Sequence, residues 1–202
     1  FVNPGTELRD LLNEEAVRVA SENARNGNNL LKDIVNEKCI VNAIVGLLAT
    51  GGSTNHTIHL IAMARSAGIL INWDDMSDLS KVVPLIARLY PNGAADVNHF
   101  HASGGMGFVI HTLLEAGLLH QDVTTILGQG LAQFTQEPFI QEGTLAWRPG
   151  ASTSLNESIL RPATNPFSAD GGIRIITGNI GRSVVKTAAV SEEHMIIQAE
   201  AI

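Results

Sequence analysis

The sequence predicts a layered α/β fold, with helices packed on a sheet, that runs into the first strands of a second, β-rich domain. Three observations carry this reading. Up to Gly130, apolar residues recur mostly at three- and four-residue spacing, the period of a helix with one buried face. A helix, a glycine and the short apolar run "ILIN" follow one another at 53–72, an order that places a strand directly after a helix. From about residue 143 the helical period fades, and β-branched runs such as "GIRIITGN" and "SVVKTAAV" replace it.

The first predicted helix covers 6–25, with Thr6 as N-cap, Leu8, Leu12, Ala16 and Val19 on one face, and "NGNN" as its end. Asn36 caps a second, whose Ile40, Val41, Ile44, Val45, Leu47 and Leu48 are apolar nearly all round, so it should be buried; Thr50-Gly51-Gly52 stops it. The third runs from Ser53 to Ala67 with Gly68 as terminator, and "ILIN" at 69–72 reads as a strand. In 77–93, Ser77 reads as a cap and Pro84 as the break after a short helix. "ADVNHFHASGGMGFVIHTLLEAGLL" repeats the glycine-then-helix design and closes at Gly117; Asp122 should cap one more short helix. Pro149, Pro162 and Pro166 interrupt regular structure, so the expected organisation is an α/β domain at 1–147, a linker at 148–171 and the start of a β-rich domain at 172–202. With Phe1 first and "MIIQAEAI" last, a piece of a longer protein is the expectation.

The 202 residues suffice for a sizeable core. A net charge of -7 argues against nucleic acid or an anionic membrane as main partner, while a local nest of N–H groups remains able to bind a small anion. No apolar run is long enough for a membrane span and no secretory leader is visible, so a cytoplasmic protein is expected. One cysteine, Cys39, excludes an internal disulfide framework and supplies too few thiolates for an iron–sulfur cluster or structural zinc alone.

Five features invite a chemical reading. Gly51-Gly52-Ser53-Thr54-Asn55 pairs flexible backbone with hydroxyls at a helix start, which suits a phosphate or carboxylate; it equally suits an interhelix turn followed by a cap. His56 and His59 share a helix face, as metal ligands or as ordinary hydrogen-bonding side chains, without the i, i+4 spacing and glutamate of a zinc helix. His99 and His101, flanked by Asp96 and Asn98, would point to one side of an extended segment, where two imidazoles could orient hydroxyls or shuttle a proton; capping or burial is the other reading. Asp74-Asp75 is either a metal site or an acidic lead-in to a helix, and Cys39 reads as a packed free thiol.

The strings "VNEKCIVNAIVGLLATGGSTNHTIHLIAMARSAGI", "NWDDMSDLS", "LYPNGAADVNHFHASGGMGF", "QEP" and "GGIRIITGNIGRSVVKTAAV" resemble the dihydroxy-acid dehydratase and phosphogluconate dehydratase family along essentially the whole chain. "NHFHASGGM" and "LYPNG" favour its sugar-acid branch. The resemblance implies an α/β domain joined to a C-terminal β-barrel-like domain with an iron–sulfur cluster between them, 4Fe-4S being the expectation. It implies dehydration of 6-phospho-D-gluconate to 2-dehydro-3-deoxy-6-phospho-D-gluconate, a step of the Entner–Doudoroff pathway. The cluster would act as Lewis acid on the C3 hydroxyl while a base removes the C2 proton. It places the cluster cysteines upstream of Phe1, and the serine base and a divalent cation site, such as for Mg, beyond Ile202. It further implies a homodimer, a phosphosugar acid as partner, Gly51 to Asn55 as substrate contact, and His99 and His101 near the cleft as catalytic candidates. This piece alone should be inactive. A family member acting on a 2,3-dihydroxy acid or another sugar acid, and a non-catalytic phosphosugar-binding module, are the competing readings.

Overall fold

The computed structural model describes residues 2–194 and 196–200. Helix α1, Glu7–Asn26, starts where the Thr6 side chain accepts from the Arg9 N–H and ends at Gly27, whose left-handed backbone donates to Asn23 O. It buries none of its residues. After the single turn α2, Leu31–Ile34, helix α3, Glu37–Thr50, begins at Asn36, which accepts from the Cys39 N–H. Ile40, Ile44, Val45, Leu47, Leu48 and Ala49 are all buried, so α3 is the central helix, as its nearly all-round apolar surface predicts.

Helix α4, Asn55–Ser66, packs Thr57, Leu60 and Ala64 inward. Helix α5, Trp73–Val82, buries Met76 and Ser80, α6 is the short Val97–Ala102, and α7, Gly105–Glu115, buries Phe108, Val109 and Leu113. No helix among the described residues is long and apolar enough to cross a membrane. The strands form antiparallel hairpins: β1, Thr124–Thr125, with β2, Gly128–Gln129; β3, Gln136–Gln141, with β4, Thr144–Pro149; and β5, Arg174–Gly178, with β6, Gly181–Val185. Helices lie on these strands, α1 against β3 and β4, α5 against β5, so the chain is of the mixed helix-and-strand class expected from its sequence.

An extended strap at 84–90 joins the layers. On one side Leu85 N–H donates to Ser168 O at 3.0 Å and Leu85 O accepts from Phe167 N–H at 2.8 Å. On the other, Arg161 N–H donates to Ile86 O at 2.8 Å and Arg88 N–H to Ile159 O at 2.7 Å, while Ile86 N–H reaches Ala49 O at 2.8 Å. Leu85, Ile86 and Ala87 are buried between these partners. Residues 150–171 carry no helix or strand, yet Ile159 and Leu160 are buried. Their backbone is tied down at Leu155 N–H to Ser103 O, 3.1 Å, and Ala163 N–H to Thr112 Oγ1, 2.8 Å.

Four local expectations change. "ILIN" is no strand: Ile69 N–H closes the end of α4 on Ala64 O, and Ile69 and Ile71 pack on the core without the edge partner a strand needs. Helix α5 starts four residues before Ser77, because Asn72 and Asp75 form a reciprocal capping box; it stops at Val82 since Pro84 disfavours helical backbone at the residue before it. Asp122 caps nothing helical but pairs with Lys38, ahead of the β1–β2 hairpin. Residues 97–102 are helical rather than extended.

Candidate functional site

The end of α3 builds the site. Gly51 closes the helix with φ 58, a conformation that side chains resist, and its carbonyl accepts from Asn92 Nδ2 at 3.0 Å. A Cβ at Gly51 would overlap Asn92 and lie 3.0 Å from Leu85 Cδ1; one at Gly172 would lie 3.0 Å from the Gly51 Cα and 2.8 Å from the Ala188 methyl. Two backbones therefore approach here with no room for side chains. In front of them opens a polar cavity of about 750 Å³, lined among others by Arg88, Asn92, Phe167, Asp170 and Arg174. A neighbouring cavity of about 450 Å³ shares Arg88 and Asn92 and extends to His99 and Ser158.

The charges of the larger cavity are unequal. Arg174 is paired with Asp170, which also accepts from Ser168 Oγ at 2.7 Å. Arg88 instead lies over the Phe167 ring, 4.5 Å from its centroid, and Arg161 lies 4.3 Å from the same centroid. The Oδ1 of Asn92 is buried and has no hydrogen-bond partner among the described residues, which costs about 1–3 kcal/mol.

The five residues from Gly51 to Asn55 divide between two faces. Gly51 backs the polar cavity through Asn92. Gly52 lines an apolar groove of about 540 Å³ between α3, α4 and α7, together with His56 and His59. Ser53 Oγ accepts from Asn55 N–H at 3.2 Å, so this serine sits in the turn that starts α4; Ser53 and Asn55 are exposed and Thr54 half-buried.

Asp96 Oδ1 accepts from the His99 N–H at 3.0 Å and the Asp96 N–H reaches His99 Nδ1 at 3.4 Å, a reciprocal cap that starts α6; His99 Nδ1 also lies 2.8 Å from Asp96 Oδ1. The backbone N–H of His99 is the main cause that holds the Asp96 carboxyl below its usual range. His101 is not beside it: two helical residues lie roughly 200° apart around the axis, so the same-side expectation, which needed an extended segment, fails. His101 Nδ1 lies 3.5 Å from where a Gly105 Cβ would stand, and burial pushes its imidazole below the ordinary value. Asp75 Oδ2 accepts from the Asn72 N–H at 2.8 Å, and Asp74 pairs with Arg182 at 3.0 Å. Arg88, Asn92 and Phe167 escaped sequence reasoning. Arg88 sits inside an apolar run, and its aromatic partner is far along the chain.

The profile of the dihydroxy-acid/6-phosphogluconate dehydratase N-terminal region matches residues 1–134, and that of the C-terminal region matches 158–202. The chain belongs to the dihydroxy-acid/6-phosphogluconate dehydratase family. Similar curated relatives include the phosphogluconate dehydratases of Pseudomonas aeruginosa, 57% identical over 98% of this chain and 33% of the relative, and of Escherichia coli K12, 53% identical over the whole chain and 34% of the relative. The chloroplastic dihydroxy-acid dehydratase of Arabidopsis thaliana is 38% identical over 74% of this chain and 22% of the relative. The chain thus spans about a third of the length of the phosphogluconate dehydratases it matches. Arg88 and Asn92 come from the part matched by the N-terminal profile, and Phe167, Asp170 and Arg174 from the part matched by the C-terminal one.

The iron–sulfur cluster implied for this dehydratase family does not fit the residues present. Cys39 is the sole cysteine, and burial pushes its half-buried thiol up, away from the thiolate a cluster requires. Among the described residues no group of three His, Cys, Asp or Glu side chains could hold a metal ion.

Proposed function

We propose that the protein carrying this chain dehydrates 6-phospho-D-gluconate to 2-dehydro-3-deoxy-6-phospho-D-gluconate, and that the chain forms the wall on which the substrate rests. The supporting observation is the polar cavity in which residues of both family-matched parts meet in front of Gly51. In the reaction the C2–H and C3–O bonds break, water leaves, and the enol formed between C2 and C3 becomes the 2-ketone. Nothing in this chain is assigned to either bond-breaking step. Its work is positional: Asn92, in the cavity wall, holds the 51–55 turn behind it by donating to Gly51 O, and His99, fixed by Asp96, faces the smaller cavity and orients a substrate hydroxyl. His101 stands apart from that pair.

An iron–sulfur cluster of the 4Fe-4S type and a divalent cation such as Mg belong to this reading as groups of the longer protein, with no ligand from this chain. The division into 1–147, 148–171 and 172–202, a homodimeric assembly and a cytoplasmic location belong to it too. The test is 2-keto acid formation from 6-phosphogluconate by the protein that carries this chain, purified without oxygen. Keto acid from the phosphorylated substrate is expected. Turnover restricted to 2,3-dihydroxy acids would move the protein to the other branch, and binding without turnover would leave an anion-binding module.

A further inference from the structure

We infer that Arg88, mounted on the ring of Phe167, forms the subsite for a phosphate monoester and is the residue by which this cavity tells phosphorylated from unphosphorylated sugar acids. The inference rests on the reading of the cavity as a substrate wall and names which end of the substrate goes where.

The first support is charge. In a chain with 20 acidic and 13 basic residues, most cations of the described residues that approach other side chains meet a carboxylate, as Arg174 meets Asp170 and Arg182 meets Asp74. Arg88 makes no such pair among the described residues. Its company is an aromatic ring that carries a second guanidinium, Arg161, whose Nε is spent on Glu157 O at 3.0 Å. A ring face holds a guanidinium without consuming its N–H donors, which stay available to a planar or tetrahedral oxyanion. Of the two cations on the ring, Arg88 is the one that lines the cavities, and an arginine with no carboxylate partner among the described residues favours the ligand with the larger charge: a phosphate monoester carries about -1.5 to -2 at neutral pH where a carboxylate carries -1.

The second support is position. Arg88 is held by its own backbone, on Ile159 O, and Phe167 by Leu85 O, so both sides of the strap fix the pair. Arg88 and Asn92 line both cavities. A phosphate bound at Arg88 therefore leaves the sugar chain a cavity on either side, with Asn92 in the wall of both.

Calorimetric titration of the protein that carries this chain, wild type, Arg88→Gln and Arg88→Lys, with inorganic phosphate, 6-phosphogluconate and gluconate tests this without relying on turnover. Loss of one charge-assisted contact set should weaken 6-phosphogluconate about 10- to 100-fold in Arg88→Gln, abolish inorganic phosphate binding, and leave the affinity ratio of the two sugar acids near one. Arg88→Lys, which keeps the charge but not the planar fork, should fall between. Arg88 is exposed, so its substitution opens no cavity in the core, and an unchanged urea midpoint in both variants checks that the fold is kept. Equal weakening of gluconate and 6-phosphogluconate would make Arg88 a carboxylate contact and overturn the assignment, as would wild-type binding by Arg88→Gln. Phosphate binding lost on substitution in a protein that dehydrates neither acid would sink the dehydratase reading and leave the subsite standing.

Discussion

A methyl group at Gly51 would meet Asn92 and Leu85 at once, on a backbone with φ 58. Gly51→Ala should therefore lower the stability of the folded protein by about 1–3 kcal/mol, read as a drop in the urea midpoint at constant slope, and should loosen the Asn92 contact. An unchanged midpoint would mean that the two loops are not in close packing. Gly52 is a different case, since its neighbour is the flexible end of Leu47. The two glycines look equivalent in "GGSTN", and only the structure separates the one that backs the polar cavity from the one on the apolar groove. Arg88 was equally hidden: its meaning lies in Phe167 and Arg161, which no local window contains.

For single elements, what is encoded within a few residues was legible and what needs a distant partner was not. Thr6, Gly27 and Asn36 delimit α1 and α3 by bonds to their own chain, and the apolar run of α3 announces its burial. "ILIN" has strand-like residues but no edge to pair with. At α5 two caps competed, and Asn72 with Asp75 prevailed because both bonds of the box form. Helix α6 was missed since its six residues give no periodicity, only the Asp96–His99 exchange. That exchange makes α6 sensitive to acid. The Asp96 pKa is depressed in the folded state, so its contribution is complete above the ordinary carboxylate pKa of about 3.9 and is lost as pH falls through the lower, folded value. Amide exchange of Asn98 and His99, whose N–H groups Asp96 accepts, should accelerate over that acid window in wild type. In Asp96→Ala it should already be fast above it. Equal rates in the two proteins would remove the cap from the account of how His99 is held.

Across the whole molecule, the segment at 150–171 shows how little composition says about packing. Its prolines and small polar residues read as a connector, yet Ile159 and Leu160 are buried and Thr112 Oγ1, itself buried on α7, receives the Ala163 N–H. Thr112→Val keeps the shape and removes the acceptor, leaving the N–H of the half-buried Ala163 without a partner. A loss of about 1–3 kcal/mol is expected, together with faster proteolysis within 150–171 as the segment detaches. A variant as stable and as resistant as wild type would show that Ala163 finds another acceptor. The strap at 84–90 depends on this segment more than on any helix, since its partners at 159–161 and 167–168 lie some seventy to eighty residues later in the sequence. On the ribosome that distance becomes time: at about 5–20 residues per second, Leu85, Ile86 and Ala87 wait on the order of 4–15 s for the residues that will cover them. During that interval an apolar strand with open edges is offered to the cell, so a nascent chain halted between the two regions should be a preferred client of chaperones.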